Sequence, residues 1–124
     1  KNTKLKKIIN ISSIYGVSVP NLSIYKNPNK ESPINYGTSK AGMIHLTKEL
    51  AVRLANRNIT VNSISYGGIK GRASIEFEKK YSKISPQNKM IKLNEIFGPL
   101  DFLISDNSKN INGHNLIVDG GWTL

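Results

Sequence analysis

The chain has 124 residues, with 18 Lys and Arg against 8 Asp and Glu for a net charge of +10, and no cysteine. That length holds at most one domain with a modest core; the lack of cysteine excludes disulfides and thiolate metal sites and fits a cytoplasmic setting. No apolar run approaches the ~18 residues of a membrane span, and the cations are scattered at Lys4, Lys6, Lys26, Lys48, Lys79, Lys92 and Lys109, so a solvated Lys- and Asn-rich surface explains the charge better than a nucleic-acid face.

In chain order, Lys1 to Lys7 is a basic lead-in, the expected end of a preceding helix or its loop. Ile8 to Ser12 is a β-branched run followed by Ser13, as in a buried parallel strand that delivers polar groups at its carboxyl end. In open α/β sheets that end is where ligands bind. Between Ser13 and Tyr36 the sequence carries Tyr15-Gly16, Pro20, Tyr25, Lys26, Pro28, Glu31 and Pro33 and reads as a long loop. Such a loop inside a compact domain is functional or mobile.

Tyr36-Gly-Thr-Ser-Lys40 opens a helix expected over residues 35–56, with Ala41, Ile44, Leu50, Ala51 and Leu54 as its core face. Gly37, Ala41 and Gly42 would let a neighbour pack closely. Residues i and i+4 share a helix face, roughly 5–6 Å apart at Cβ. A free tyrosine ionises near a pKa of about 10, so a phenol that exchanges protons at neutral pH needs a nearby cation. Lys40 is placed to be that cation, although the same spacing occurs on any solvated helix.

Ile59-Thr-Val-Asn-Ser-Ile64 is a second strand, and Tyr66-Gly-Gly-Ile69 a turn that brings backbone close to a ligand. Arg72 to Lys92 is polar, with Phe77 and Tyr81 on one face of a short helix. Asn94 to Ser105 is a core helix through Ile96, Leu100, Leu103 and Ile104, with Pro99 near its first turn. Asn112-Gly113 turns into a last strand, Leu116-Ile-Val-Asp-Gly-Gly-Trp122. His45 and His114 receive no role, Asp119 reads as a strand-end cap, no metal site is expected, and Trp122 is an interface or core anchor.

A strand ending in Ser, a Tyr-x-x-x-Lys helix, a strand with a glycine turn and a closing Val-Asp-Gly-Gly strand follow in this order. From Ile8 to Trp122 the chain thereby resembles the C-terminal half of the short-chain dehydrogenase/reductase family. The resemblance implies an α/β fold, the second half of a Rossmann-like doubly wound parallel sheet with three parallel strands and flanking helices. Residues 1–124 would be the C-terminal part of one NAD(P)-binding domain. It implies hydride transfer between NAD or NADP and a small carbonyl/alcohol substrate, with Ser13 polarising the oxygen, Tyr36 exchanging its proton, and Lys40 stabilising the phenolate and binding the nicotinamide ribose. Cofactor contacts are expected from Ile11, Ser12, Tyr36, Lys40, Tyr66, Gly67, Gly68 and Ile69, the last through its backbone to the carboxamide.

Two positions depart from the family pattern. Tyr66 stands where relatives carry Pro, which would set a bulky phenol beside the nicotinamide, and Gly71 stands where a Thr often helps bind the pyrophosphate. Residues 72–92 match the family's substrate lid, and because the helix over 35–56 lines a subunit interface in the family, the resemblance implies a homo-oligomer, dimer or tetramer. The spelling Ser-Ser-Ile-Tyr-Gly, then Glu31-Ser-Pro33, then Tyr-Gly-Thr-Ser-Lys is similar to the nucleotide-sugar epimerase and dehydratase branch, a hint of a sugar substrate.

The chain opens at Lys1 almost directly on a strand, and no Gly-x-x-x-Gly-x-Gly or Asn-Asn-Ala-Gly stretch occurs in it. It is therefore expected to be a fragment of a longer polypeptide, inactive alone and poor at binding a dinucleotide. The residue that chooses NAD or NADP by reading the ribose 2′ position falls outside it. Two other classes stay open: a catalytically inactive subunit or scaffold, and a basic nucleic-acid-binding module whose affinity would fall steeply with salt.

Overall fold

The computed structural model describes residues 6–124. The lead-in expected over Lys1 to Lys7 lies outside them apart from its last two residues, and Lys7 already belongs to the first strand. Three strands form one sheet in the order β1 (Lys7–Ser13), β2 (Thr60–Tyr66), β3 (Asn115–Val118). All neighbours are parallel, with Lys7 opposite Thr60 through Ser13 opposite Tyr66, and Ser63 opposite Asn115 through Tyr66 opposite Val118. Parallel neighbours need crossover connections. Here α1 (Pro28–Glu31) and α2 (Ile34–Leu54) join β1 to β2, and α3 (Ile75–Ile84) and α4 (Phe97–Ile104) join β2 to β3.

Successive side chains of a strand face opposite sides of its sheet, and β2 uses both for the core. Val61 packs with Ile59, Ala51, Leu50 and Leu54 on the α2 side, while Ile64 and Tyr66 pack with Leu103, Leu100 and Ile96 on the α4 side. The polar residues between them are satisfied, as buried polar groups must be. Asn62 Nδ2 donates to the Ile111 carbonyl at 2.8 Å and its Oδ1 accepts from His114 N at 2.9 Å. Ser63 and Ser65 both donate to Asn115 Oδ1. β1 was expected as a buried strand, yet it is half-buried over most of its length and Ile11 is 45% exposed. It has a strand partner on one edge only among the described residues.

The element boundaries shift by small amounts with identifiable causes. β2 continues to Tyr66 because its ladder with β1 continues to Ser13. β3 stops at Val118, where Gly120 and Gly121 take positive φ and Asp119 caps the turn, accepting from Gly121 N, Thr123 N and Thr123 Oγ1. α2 ends before a tight turn closed by Asn58 in the left-handed region. Ala51 is buried as expected, whereas Ala41 is exposed. Thr47 is fully buried instead, bonded to Asn10 Nδ2 and the Met43 carbonyl. The helix expected over 94–105 divides into a tight turn at Leu93–Ile96 and α4. Pro99 falls in the first turn of α4, where a missing N–H costs nothing.

Candidate active site

The carboxyl tip of β1 delivers Ser12 and Ser13. Ser13 Oγ accepts from Tyr15 N at 3.2 Å, which ends the strand and caps a tight turn, Ile14–Gly16. That turn lies backbone against backbone on the start of α2. A Cβ on Gly16 would sit 2.6 Å from the Lys40 carbonyl carbon, and one on Gly37 would sit 2.9 Å from the Tyr15 carbonyl oxygen. Ser12 Oγ adds a hydrogen bond to the Lys40 carbonyl at 2.9 Å. Two glycines and one hydroxyl thus set the spacing between the Ser13 strand tip and the Tyr36–Lys40 helix. Gly37 packs closely, as expected; Gly42 has no neighbour within 4 Å.

Lys40 Nζ reaches back over the strand tip to donate to the Ile11 carbonyl at 3.0 Å, and lies 5.7 Å from the centroid of the Tyr36 ring. One hydrogen bond leaves two of its three N–H donors for a ligand. Tyr36 is 43% exposed. A cavity of about 330 Å³ is bordered by Ser13, Tyr36 and Lys40 together, and also by Ile11, Ser12, Tyr66, Gly67, Gly68 and Ile69. Every catalytic or cofactor residue singled out from sequence therefore lies around one space at the carboxyl end of the sheet.

Three of those positions, Tyr66, Gly67 and Gly68, sit there with core contacts of their own. Tyr66 holds an even position of β2, so its side chain turns to the α4 side. It is buried, and its Oη donates to the Ile96 carbonyl at 2.6 Å. Burial raises its pKa. The phenol expected beside a nicotinamide has its hydroxyl committed to the core, and the residue still borders the cavity. The glycine pair that follows is required by Tyr81: a Cβ would meet Tyr81 Oη at 2.8 Å from Gly67 and the Tyr81 ring at 2.7 Å from Gly68. Gly68 N donates to Tyr81 Oη at 2.8 Å.

Ile69 bridges to Ile91 in parallel fashion, with Lys70 N donating to the Ile91 carbonyl and Ile91 N to the Gly68 carbonyl. Backbone groups alternate sides along an extended chain, so the N–H and C=O of Ile69 itself turn away from Ile91. Ile69 borders the cavity, and no hydrogen bond to its own amide donor or acceptor occurs among the described residues.

A second cavity of about 610 Å³ opens toward α3 and the 14–33 loop, and shares Tyr15, Tyr25, Tyr36 and Phe77 with the first. It is the larger space but touches neither Ser13 nor Lys40; only the smaller one is bordered by all three of Ser13, Tyr36 and Lys40. An aromatic column supports the shared wall: Tyr25 and Phe77 at 5.1 Å, Phe77 and Tyr81 at 6.1 Å, and Tyr81 stacked on Trp122 at 4.1 Å. Trp122 is accordingly a core anchor. At the rim, Lys26 Nζ and Glu76 Oε2 pair at 2.7 Å. The hydrogen bonds from Lys26 and Lys80 hold the Glu76 carboxyl below its usual range. Tyr15 and Tyr25 are the site residues sequence reading missed, though Tyr15 lies two residues beyond Ser13.

Among the described residues, no three His, Cys, Asp or Glu side chains gather to hold a metal, and no helix is long and apolar enough to cross a membrane.

A family model described as Enoyl-(Acyl carrier protein) reductase matches residues 2–123. The Post-translational flagellin modification protein A of Campylobacter coli is 41% identical over 124 residues, which is all of this chain and 48% of that protein. A 3-oxoacyl-(acyl-carrier-protein) reductase of Thermotoga maritima is 35% identical over 121 residues, 94% of this chain and 45% of that protein. Among solved structures, a short chain dehydrogenase from Leptospira borgpetersenii with bound NAD+ superposes with a TM-score of 0.88 at 41% identity, over 95% of this chain and 44% of that one. The chain spans about half the length of the curated relatives it matches. With its three parallel strands and the site at their tips, it belongs to the short-chain dehydrogenase/reductase family.

Proposed function

We propose that the polypeptide carrying this chain interconverts a carbonyl and an alcohol by hydride transfer with a nicotinamide dinucleotide. The observation that carries this reading is the common cavity of Ser13, Tyr36 and Lys40 at the carboxyl ends of parallel strands, where ligands of open α/β sheets bind. Support for the cofactor comes from the backbone pair of Ile69, which suits a carboxamide, from the uncommitted Lys40 donors, which suit ribose hydroxyls, and from the NAD+ bound to the Leptospira relative. The dinucleotide supplies the hydride acceptor or donor when bound.

The roles of the chain's own groups follow from their chemistry. Ser13 Oγ holds the substrate oxygen. Tyr36 Oη takes the hydroxyl proton as an alcohol is oxidised, or returns it as a carbonyl is reduced. The Lys40 ammonium, fixed to the Ile11 carbonyl beside the Tyr36 ring, has two donors left for the hydroxyls of the nicotinamide ribose. Of the two departures that made an inactive subunit thinkable, Tyr66 and Gly71, the first has its hydroxyl committed to the Ile96 carbonyl in the core. The one-sided pairing of β1 fits a sheet continued by further strands, so the 124 residues alone should bind dinucleotide poorly. Exposed Ile34 and Val52, at 89% and 80%, share a stripe of α2 with Ala41 and fit a homo-oligomer built on that helix.

The test is nicotinamide absorbance during incubation of the full-length polypeptide with carbonyl and alcohol substrates. Tyr36→Phe should lower turnover by about 10²–10⁴-fold while cofactor affinity is retained. Substantial remaining turnover removes Tyr36 from its role.

A further inference from the structure

The wall shared by the two cavities holds a phenol pair that the hydride-transfer reading leaves without a task. Tyr15 Oη and Tyr25 Oη lie 2.5 Å apart in a mutual hydrogen bond. Such a bond consumes one O–H and one lone pair. The accepting phenol keeps its own proton, and both oxygens keep acceptor capacity. No other hydrogen bond to either oxygen occurs among the described residues. The pair therefore offers a donor and an acceptor side by side.

Burial and the Tyr25 hydrogen bond push the Tyr15 pKa up, so at neutral pH the Tyr15 phenol is uncharged and suits a neutral partner. Tyr15 is also coupled to the reacting end, because its N–H donates to Ser13 Oγ. Beside the two oxygens, the Tyr25 and Phe77 rings meet at 50° and give the outer cavity an apolar wall. An apolar face joined to a donor–acceptor pair matches a ring that carries hydroxyls on its edge and C–H bonds on its face.

Resting on the oxidoreductase reading, we infer that Tyr15 and Tyr25 form a hydroxyl-recognition element. On this assignment the substrate is a hydroxylated ring, of the sugar type, whose second hydroxyl is read beside the reacting carbon. An unbranched acyl chain would touch the aromatic wall but leave the remaining O–H and lone pairs of the two half-buried phenols without a ligand partner, which costs affinity.

The test competes trans-1,2-cyclohexanediol against cyclohexanol for the full-length polypeptide with NAD+ present, by ligand-observed saturation-transfer NMR. The probes differ by one hydroxyl. The expected result is about a tenfold preference for the diol, falling close to unity in Tyr25→Phe and in the double variant Tyr15→Phe/Tyr25→Phe, with melting temperatures showing both variants folded. No preference in the wild type, or a preference intact in a folded variant, overturns the inference. NAD+ reduction is followed in parallel. Preferential binding that the variants abolish, without reduction of NAD+ by any alcohol, sinks the oxidoreductase reading and leaves the phenol pair standing; reduction without preference does the reverse.

Discussion

Replacing Gly16 with alanine tests how the site is held together. The new methyl would lie 2.6 Å from the Lys40 carbonyl carbon and 2.8 Å from both the Lys40 oxygen and the Ala41 nitrogen. Ordinary contact begins at 3.4 Å, so the Ile14–Gly16 turn and α2 must part by about 0.8 Å. All three obstacles are backbone atoms and none can swing aside. Overpacking of this kind costs about 1–3 kcal/mol. The displacement also separates Ser13 from Tyr36 and Lys40, and a misplacement of about 1 Å at a reacting centre costs on the order of 10²-fold in rate. Urea unfolding and kcat of the full-length polypeptide measure both, with Gly98→Ala as control, since that position has no neighbour within 4 Å. Wild-type stability and kcat in Gly16→Ala would refute the close approach as the device that sets the site.

Asn62→Leu leaves the Ile111 carbonyl and His114 N–H without their partner in a fully buried place. It should cost about 2–4 kcal/mol in urea unfolding, and a loss well under 1 kcal/mol would show that water replaces the side chain. Burial is the main cause that raises the pKa of Tyr15, Tyr66 and Tyr81. The folded state thus favours the protonated phenols: their contribution is complete below the unfolded value of about 10 and is lost as pH climbs through the folded values. Melting temperature should fall steeply above about pH 10, and a flat profile there would contradict the assigned burial.

The sheet was legible because its strands carry local signatures. β-Branched runs at Ile8 to Ile11 and Ile59 to Ile64 are separated by a helix-length segment, the crossover that parallel neighbours need. That Ser13, Tyr36 and Lys40 border one space was legible through the family's motif spacing. Gly16 was not, since its partner is the backbone of Lys40 on another element and nothing local marks that contact. The Tyr15–Tyr25 pair depends on the path of a loop with little periodic pattern. Tyr66 was misplaced for a different reason: assigned to a turn, it escaped the period-two rule that puts it on the same face as Ile64. Gly67 and Gly68 were read as room for a ligand, whereas their near neighbour is Tyr81, thirteen residues beyond Gly68.

The most direct measurement is a crystal structure of the full-length polypeptide with NAD+ and a substrate alcohol. The account predicts one substrate oxygen within about 2.6–3.2 Å of both Ser13 Oγ and Tyr36 Oη, with Lys40 Nζ on the nicotinamide ribose. A dinucleotide bound away from this cavity, or a substrate oxygen held by neither hydroxyl, would contradict it.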